Sequence, residues 1–257
     1  MERRDDADAA NSSQSSDSGR RRFLSNAGAV LGGSVLGGSI FSNVTAASST
    51  VEGSVSGVPC WTAQDLGGGD STNIGWGIDE WDDWDGCSPI AASMVLGYHE
   101  NVSESNGSRR ESLIDRLHIN MDTSNDGTSD PIDLGDISPP FDDAILQPIC
   151  DGIEAYSAGS NSYSAQQHLT VDAELVLEEI DNNNRPFMLN MLNGGRAKDY
   201  PSSKKAYGNH SVAVVGYTWS GGATVDELVI HDGWSNPQPH VIEWGNWSEY
   251  SIITVSD

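Results

Sequence analysis

The sequence predicts an α+β fold whose sheet is antiparallel, and three observations carry that prediction. Segments with helical periodicity come first along the chain. A run of strand-like segments follows, with the change near residue 185. The strand-like segments are separated by clusters of Gly, Asn, Pro and Asp, the residues of turns. Helices followed by consecutive strands give a segregated fold, in contrast to the alternating order of a parallel sheet. The length of 257 residues suits one large domain or two small ones, and no internal repeat divides it.

Residues 1–46 read as an address. The first 19 are polar and rich in Ser and Asp. Arg20, Arg21, Arg22, Phe23 and Leu24 follow, then an apolar run from Ala27 to Phe41 that is too short and too glycine-rich for a membrane span. Small residues at Val44, Thr45 and Ala46 form a cleavage-site pattern. The segment resembles a twin-arginine signal, which implies export by that machinery in the folded state and a secreted mature protein. No second apolar stretch of membrane length occurs.

Residues 47–75 are rich in Gly, Ser and Thr and read as a flexible lead-in. The main domain is expected over 76–257. Its first segment, 76–87, holds Trp76, Trp81 and Trp84 among acids, as a cleft floor or as core. Residues 89–100 predict a helix, with Pro89 at the first helical position, Ser88 as N-cap, and Ile90, Ala91, Met94, Val95 and Tyr98 on the apolar face. Further helices are expected over 109–119 and 172–182. The stretch 122–136 holds five aspartates, lacks the alternation and terminal Glu of an EF-hand loop, and reads as an acidic surface loop. Strands are expected over 185–192, 210–220, 227–234, 240–247 and 251–256.

Charge narrows the function. Residues 1–46 hold five Arg and five acids, so the net charge of −25 falls on residues 47–257. A phosphate-binding protein needs a basic face, so nucleic acid is excluded as a partner, as is adsorption to anionic lipid. Acid spread over a folded chain is the pattern of proteins adapted to high salt, where screening weakens self-repulsion.

Cys60, Cys87 and Cys150 are the three cysteines. Cys87 follows Gly86 and stands just before the expected helix. Amides and the helix dipole at such an end stabilise a thiolate. Cys60 and Cys150 lack that setting; they pair with each other or are both buried thiols. A thiolate nucleophile needs an imidazole to hold it and to protonate the leaving amine. His118 and His168 read as surface residues, and His99 lies too far along the Cys87 helix. His210 opens an apolar strand and suits a general base held by a sheet. Asp232 ends the next strand and is placed to orient the imidazole. Asn236 and Asp226 are alternatives for that task. No zinc ligand set, phosphate loop or Gly-x-Ser-x-Gly elbow occurs in the mature chain, and no cofactor is expected.

The ordered segments GCSPIAASMVLGYH, NHSVAVVGY and VIHDGW resemble papain-like cysteine peptidases of the bacteriocin-processing (double-glycine peptidase) type. The resemblance spans about residues 76–235. It implies a papain-like fold, a peptide or protein substrate, and Cys87 as nucleophile, His210 as base and Asp232 as orienter. One position departs from the family. The Gln that donates to the oxyanion, about six residues before the Cys, is replaced by Trp81. Losing one such donor costs about 10²–10³ in rate. Gln166, Gln167 and Asn73 are the substitutes in the sequence, and a non-catalytic binding domain is the alternative reading.

Overall fold

The computed structural model describes residues 50–62, 86–123, 147–158, 161–234 and 237–257. Among them, seven strands form one antiparallel sheet with the order β4-β9-β5-β6-β7-β8, and β1 also pairs with β6. The strands are β1 (Val51–Ser54), β4 (Ser164–His168), β5 (Phe187–Gly194), β6 (Gly208–Trp219), β7 (Glu227–His231), β8 (His240–Glu243) and β9 (Glu249–Ser256). The short β2 (Ser157–Ala158) and β3 (Asn161–Ser162) pair separately. Helices α1 (Cys87–His99), α2 (Gly107–Asn120) and α3 (Gln147–Ala155) precede the long strands, and α4 (Ala173–Leu177) runs into a π turn over Glu178–Asn182. This is the α+β order expected from the sequence. No helix among the described residues is long and apolar enough to cross a membrane.

β6 is the spine. Its run from His210 to Tyr217 is buried throughout, and β-branched Val212, Val214 and Val215 fill it. β5 pairs with its first half, from Phe187 opposite Val214 to Met191 opposite His210. β7 pairs with its later half. The C-terminal β9 inserts between β4 and β5, so the last strand lies inside the sheet. α1 packs on β6 and β5, α2 packs on α1, and α3 packs on α2 and β4.

α1 starts two residues earlier than its sequence suggests. Gly86 is the N-cap and Pro89 the third helical residue. A proline there costs little, because the first-turn amides have no intrahelical partner. Ser88 is inside the helix and buried. α1 is buried almost all round, from Ser88 to Gly97, so its apolar positions extend beyond one face. α3 went unpredicted although Ile149 and Ile153 sit one turn apart and are both fully buried.

The lead-in reading of 47–75 is corrected over residues 51–61. β1 pairs with β6 where β5 has ended, from Val51 opposite Trp219 to Ser54 opposite Gly216. Val55, Val58 and Trp61 then enter the core. Gly216 permits this approach, since a Cβ there would lie 2.7 Å from the Gly53 carbonyl oxygen. The backbone pairing and the three buried side chains tie the segment down despite its polar composition. The signal segment, the three early tryptophans, Asn73, Asn236 and the acidic loop after Thr123 lie outside the described residues.

Candidate active site

The site is built where the start of α1 meets the start of β6. Gly86 has φ 92° and ψ 148°, a conformation that L side chains rarely adopt. It turns the chain so that Cys87 becomes the first residue of α1. No side chain caps this end, and no acidic residue lies in the first turn. The first-turn amides and the positive end of the helix dipole are thereby left to the thiol.

Cys87 is half-buried. Burial pushes its thiol up, but a hydrogen bond to His210, the imidazolium charge and hydrogen bonds from the Ser211 amide and hydroxyl outweigh it, and the thiol is lowered to about 7. His210 responds in the opposite sense. Burial pushes its imidazole down, while the Cys87 contact, the Asp232 carbonyl and the Asp232 carboxylate charge push it further up, so it is raised from its ordinary value. Both shifts favour a thiolate–imidazolium pair.

Asp232 stands beside His210 and meets it through its main chain. His210 Nε2 donates to the main-chain carbonyl oxygen of Asp232 at 2.7 Å. A carbonyl only accepts, so the proton on Nε2 is fixed and Nδ1 is the nitrogen left for the thiol. The Asp232 carboxylate is engaged elsewhere. It accepts from the hydroxyls of Tyr200 and Tyr207, the latter at 3.0 Å, and from the Trp234 amide at 3.0 Å. Two tyrosines from the β5–β6 connection capture the Asp232 side chain and leave its carbonyl to the imidazole.

An aromatic and polar shell surrounds the pair, and sequence reasoning missed it. The Tyr207 ring stacks on His210 at 5.3 Å and 7°, and Trp234 lies 5.5 Å from the same imidazole. Tyr200 stacks on Trp234, with Lys204 Nζ over both rings. His240 is fully buried behind Tyr200; its Nδ1 lies 2.7 Å from Asp199 and its Nε2 4.0 Å from Asp232. Burial works to raise the Asp199 carboxyl, but the His240 and Val241 hydrogen bonds hold it below the usual carboxylate range. The one sequence signal for this shell was the aromatic residues flanking the His and Asp segments.

The remaining candidates lie elsewhere. Gln166 and Gln167 are on β4, separated from β6 by β9 and β5, and neither reaches Cys87. Asp226 is in the β6–β7 turn, where it accepts from Ser220. Cys60 and Cys150 are both free buried thiols, pushed up by burial and nearby carboxylates to about 12 and about 11. They do not pair. His118, read as a surface residue, is buried in α2 with Arg110, Glu111 and Asp115, so this helix buries charged positions that its composition assigns to solvent. His168 is half-buried and hydrogen-bonded to Thr254 at 3.1 Å, and His99 is held at the end of α1 near Asp257. Among the described residues, no group of three or more His, Cys, Asp or Glu is placed to hold a metal ion.

Among solved structures, the chain is similar to active wild-type interpain A, a cysteine protease of Prevotella intermedia. The match has 11% identity and a TM-score of 0.46, covering 79% of this chain and 94% of that one. A prointerpain A fragment from the same organism matches with 10% identity and a TM-score of 0.46, covering 79% of this chain and 71% of that one. No curated protein sequence matches significantly. Residues 74–252 match the model of the Peptidase_C39 like family, and over that span, which holds both Cys87 and His210, the chain belongs to this family of cysteine peptidases.

Proposed function

We propose that the protein is an exported cysteine peptidase that hydrolyses peptide bonds through Cys87 and His210, with Asp232 orienting the imidazole through its main-chain carbonyl. The observation that carries this reading is the meeting of Cys87, at an uncapped helix N-terminus, with His210: the hydroxyls of their chain neighbours Ser88 and Ser211 are 2.9 Å apart, and the imidazole helps to lower the thiol to about 7. The Cys87 thiolate attacks the peptide carbonyl, and the Cys87 amide donates to the oxyanion that forms. His210 Nδ1 gives its proton to the leaving amine. Water then attacks the acyl-enzyme, with Nδ1 as general base, and Cys87 is released.

The twin-arginine-like Arg20-Arg21-Arg22-Phe23-Leu24 segment supports export, and the acid excess of the mature chain supports work in high salt. Replacing Arg20 and Arg21 by Lys should leave the protein inside the cell; unchanged secretion would sink the twin-arginine reading. The peptidase reading is tested on purified protein in multimolar KCl with a mixed peptide library. Wild type should cleave and Cys87→Ala should not, while both keep the same fold by circular dichroism. Cleavage retained in Cys87→Ala would overturn it. Trp81 at the oxyanion Gln position favours a second reading, a binding domain that has lost its chemistry. In that case neither protein cleaves, and wild type retains peptides without turning them over.

A further inference from the structure

Under the site, a line of polar side chains crosses the core where apolar residues are the rule. Ser251 on β9, Asn190 on β5 and Ser211 on β6 are direct cross-strand partners, Asn190 opposite both serines. Their exposures are 0%, 1% and 5%, and Ser88 of α1, at 0%, completes the line. The hydroxyls of Ser88 and Ser211 are 2.9 Å apart. Ser211 donates to Asn190 Oδ1 at 2.7 Å, and Asn190 Nδ2 donates to Ser251 at 3.2 Å. Alanine or valine would fill these positions without the desolvation cost of four buried polar groups. The line ends at the nucleophile: Ser88 follows Cys87 in the chain, Ser211 meets Ser88 across the site, and the Ser211 amide and hydroxyl are among the groups that lower the thiol.

The Ser88 hydroxyl can donate to Ser211, which leaves the one Ser211 proton with two claimants, Asn190 Oδ1 and the sulfur. Turning that proton to a thiolate strips Asn190 Oδ1 of its donor, which is costly in a buried site. Asn190 escapes the conflict because both its neighbours are hydroxyls, which donate or accept equally well. Exchanging the two amide atoms, with no other heavy atom moving, lets Nδ2 donate to Ser211 while Ser251 donates to Oδ1.

We propose that Ser211, Asn190 and Ser251 form a reversible hydrogen-bond relay that supplies a donor to the Cys87 thiolate when it forms and withdraws it when the thiol returns. No proton is gained or lost along the relay. The Cys87 proton passes to His210 Nδ1, the Ser211 proton rotates from Asn190 to the sulfur, and every amide and hydroxyl in the line keeps a partner in both states. Ser211 touches the reacting atom, and Asn190 and Ser251 are positioning residues. The inference rests on Cys87 acting as a thiolate, as the peptidase reading requires.

The test is the pH profile of Cys87 alkylation by iodoacetamide on the purified protein, read by peptide mass spectrometry so that Cys60 and Cys150 are scored separately. In Ser211→Ala the midpoint should move up by about one pH unit, the scale of one lost hydrogen bond to a charged group. Ser211→Thr, which keeps the hydroxyl, should restore it. Ser251→Ala, which cannot touch the sulfur, should also move the midpoint up, whereas a merely structural role would lower the melting temperature and leave the midpoint in place. An unmoved midpoint in folded Ser211→Ala or Ser251→Ala overturns the relay, and Ser251→Ala decides alone if Ser211→Ala does not fold. No peptide substrate enters the assay. Midpoints that move in a protein that cleaves nothing would therefore sink the peptidase reading and leave the relay standing.

Discussion

His210 Nε2 and the main-chain oxygen of Asp232 are 2.7 Å apart, while the Asp232 carboxylate faces Tyr200, Tyr207 and the Trp234 amide. The imidazole is thus oriented by backbone, and the side chain anchors that backbone from behind. A carbonyl fixes the same tautomer a carboxylate would, since either takes the Nε2 proton.

This arrangement separates two substitutions that a carboxylate orienter would not. In Asp232→Asn the carbonyl remains, and the amide oxygen still accepts from Tyr207. Peptidase activity should fall by less than about tenfold, whereas losing the orienting carboxylate in a Ser-His-Asp triad costs about 10⁴. In Asp232→Ala the Tyr207 hydroxyl is left buried without its acceptor, at about 1–3 kcal/mol. Thermal unfolding should then drop by several degrees. A large activity loss in Asp232→Asn with an unchanged melting temperature would show that the carboxylate itself acts on the imidazole.

The Cys87 thiol provides a pH prediction whose sign follows from the pair. With the thiol lowered to about 7, alkylation should rise through pH 7 and level off above it, and the thiolate is lost as pH falls. His210→Ala removes the imidazole hydrogen bond and charge, the two largest groups that oppose burial, and leaves the Ser211 bonds, so the thiol moves up from about 7. Thiolate at pH 7 then falls by more than the higher intrinsic nucleophilicity recovers, and alkylation at pH 7 should slow. Identical profiles would show that no ion pair forms.

The two ends of the site were legible in the sequence for different reasons. A Gly-Cys before a helical run marks an N-terminus, and a His opening an apolar strand marks the end of a buried strand. Asp232 was legible as a residue but not as an atom, because the choice between carbonyl and carboxylate depends on where the β5–β6 connection puts Tyr200 and Tyr207. The Ser211, Asn190 and Ser251 line was hidden for a topological reason. Alternation identifies each strand, but only register joins them, and nothing local says that β9 folds back between β4 and β5. β1 escaped because its four residues, three of them exposed and one a glycine, show no hydrophobic period; they are held by backbone pairing to β6. His118 was misread because a helix face of Arg110, Glu111 and Asp115 reads as solvated, yet all three are buried.

Gly86 makes the site geometry conditional on one residue without a Cβ. At φ 92° and ψ 148°, any side chain adds about 1–3 kcal/mol of backbone strain. Relieving that strain rotates the peptide that opens α1 and moves the Cys87 sulfur away from Nδ1. Gly86→Ala should therefore lower stability by about that amount in a denaturant titration and also raise the alkylation midpoint of Cys87. A stability loss with an unmoved midpoint would mean that the turn serves folding alone.

Residues 51–61 belong to the fold, so trimming should show a sharp boundary. A chain beginning at residue 48 keeps β1, Val55, Val58 and Trp61. A chain beginning at 63 loses all of them and opens one flank of β6 beside Gly216. Trp61→Ala alone should cost about 3–5 kcal/mol, the usual loss for a large buried aromatic. Equal thermal stability of the two trimmed chains would restore the reading of this segment as a detachable lead-in.

The same segment should set part of the acid limit of stability. The buried His231 ring lies with Nδ1 3.0 Å from the Pro59 carbonyl oxygen. Burial is the leading cause that lowers its imidazole from the ordinary 6.5, and the Pro59 contact only partly opposes it. The fold thus prefers neutral His231, while the unfolded chain protonates near 6.5. Its contribution is fully present above that value and is lost as pH falls through the lower folded value. Between pH 6.5 and 5, the denaturant midpoint of wild type should fall in high salt, and His231→Gln should flatten that fall while lowering stability at neutral pH. If wild type and His231→Gln lose stability in parallel over this range, His231 does not titrate there and other groups set the limit.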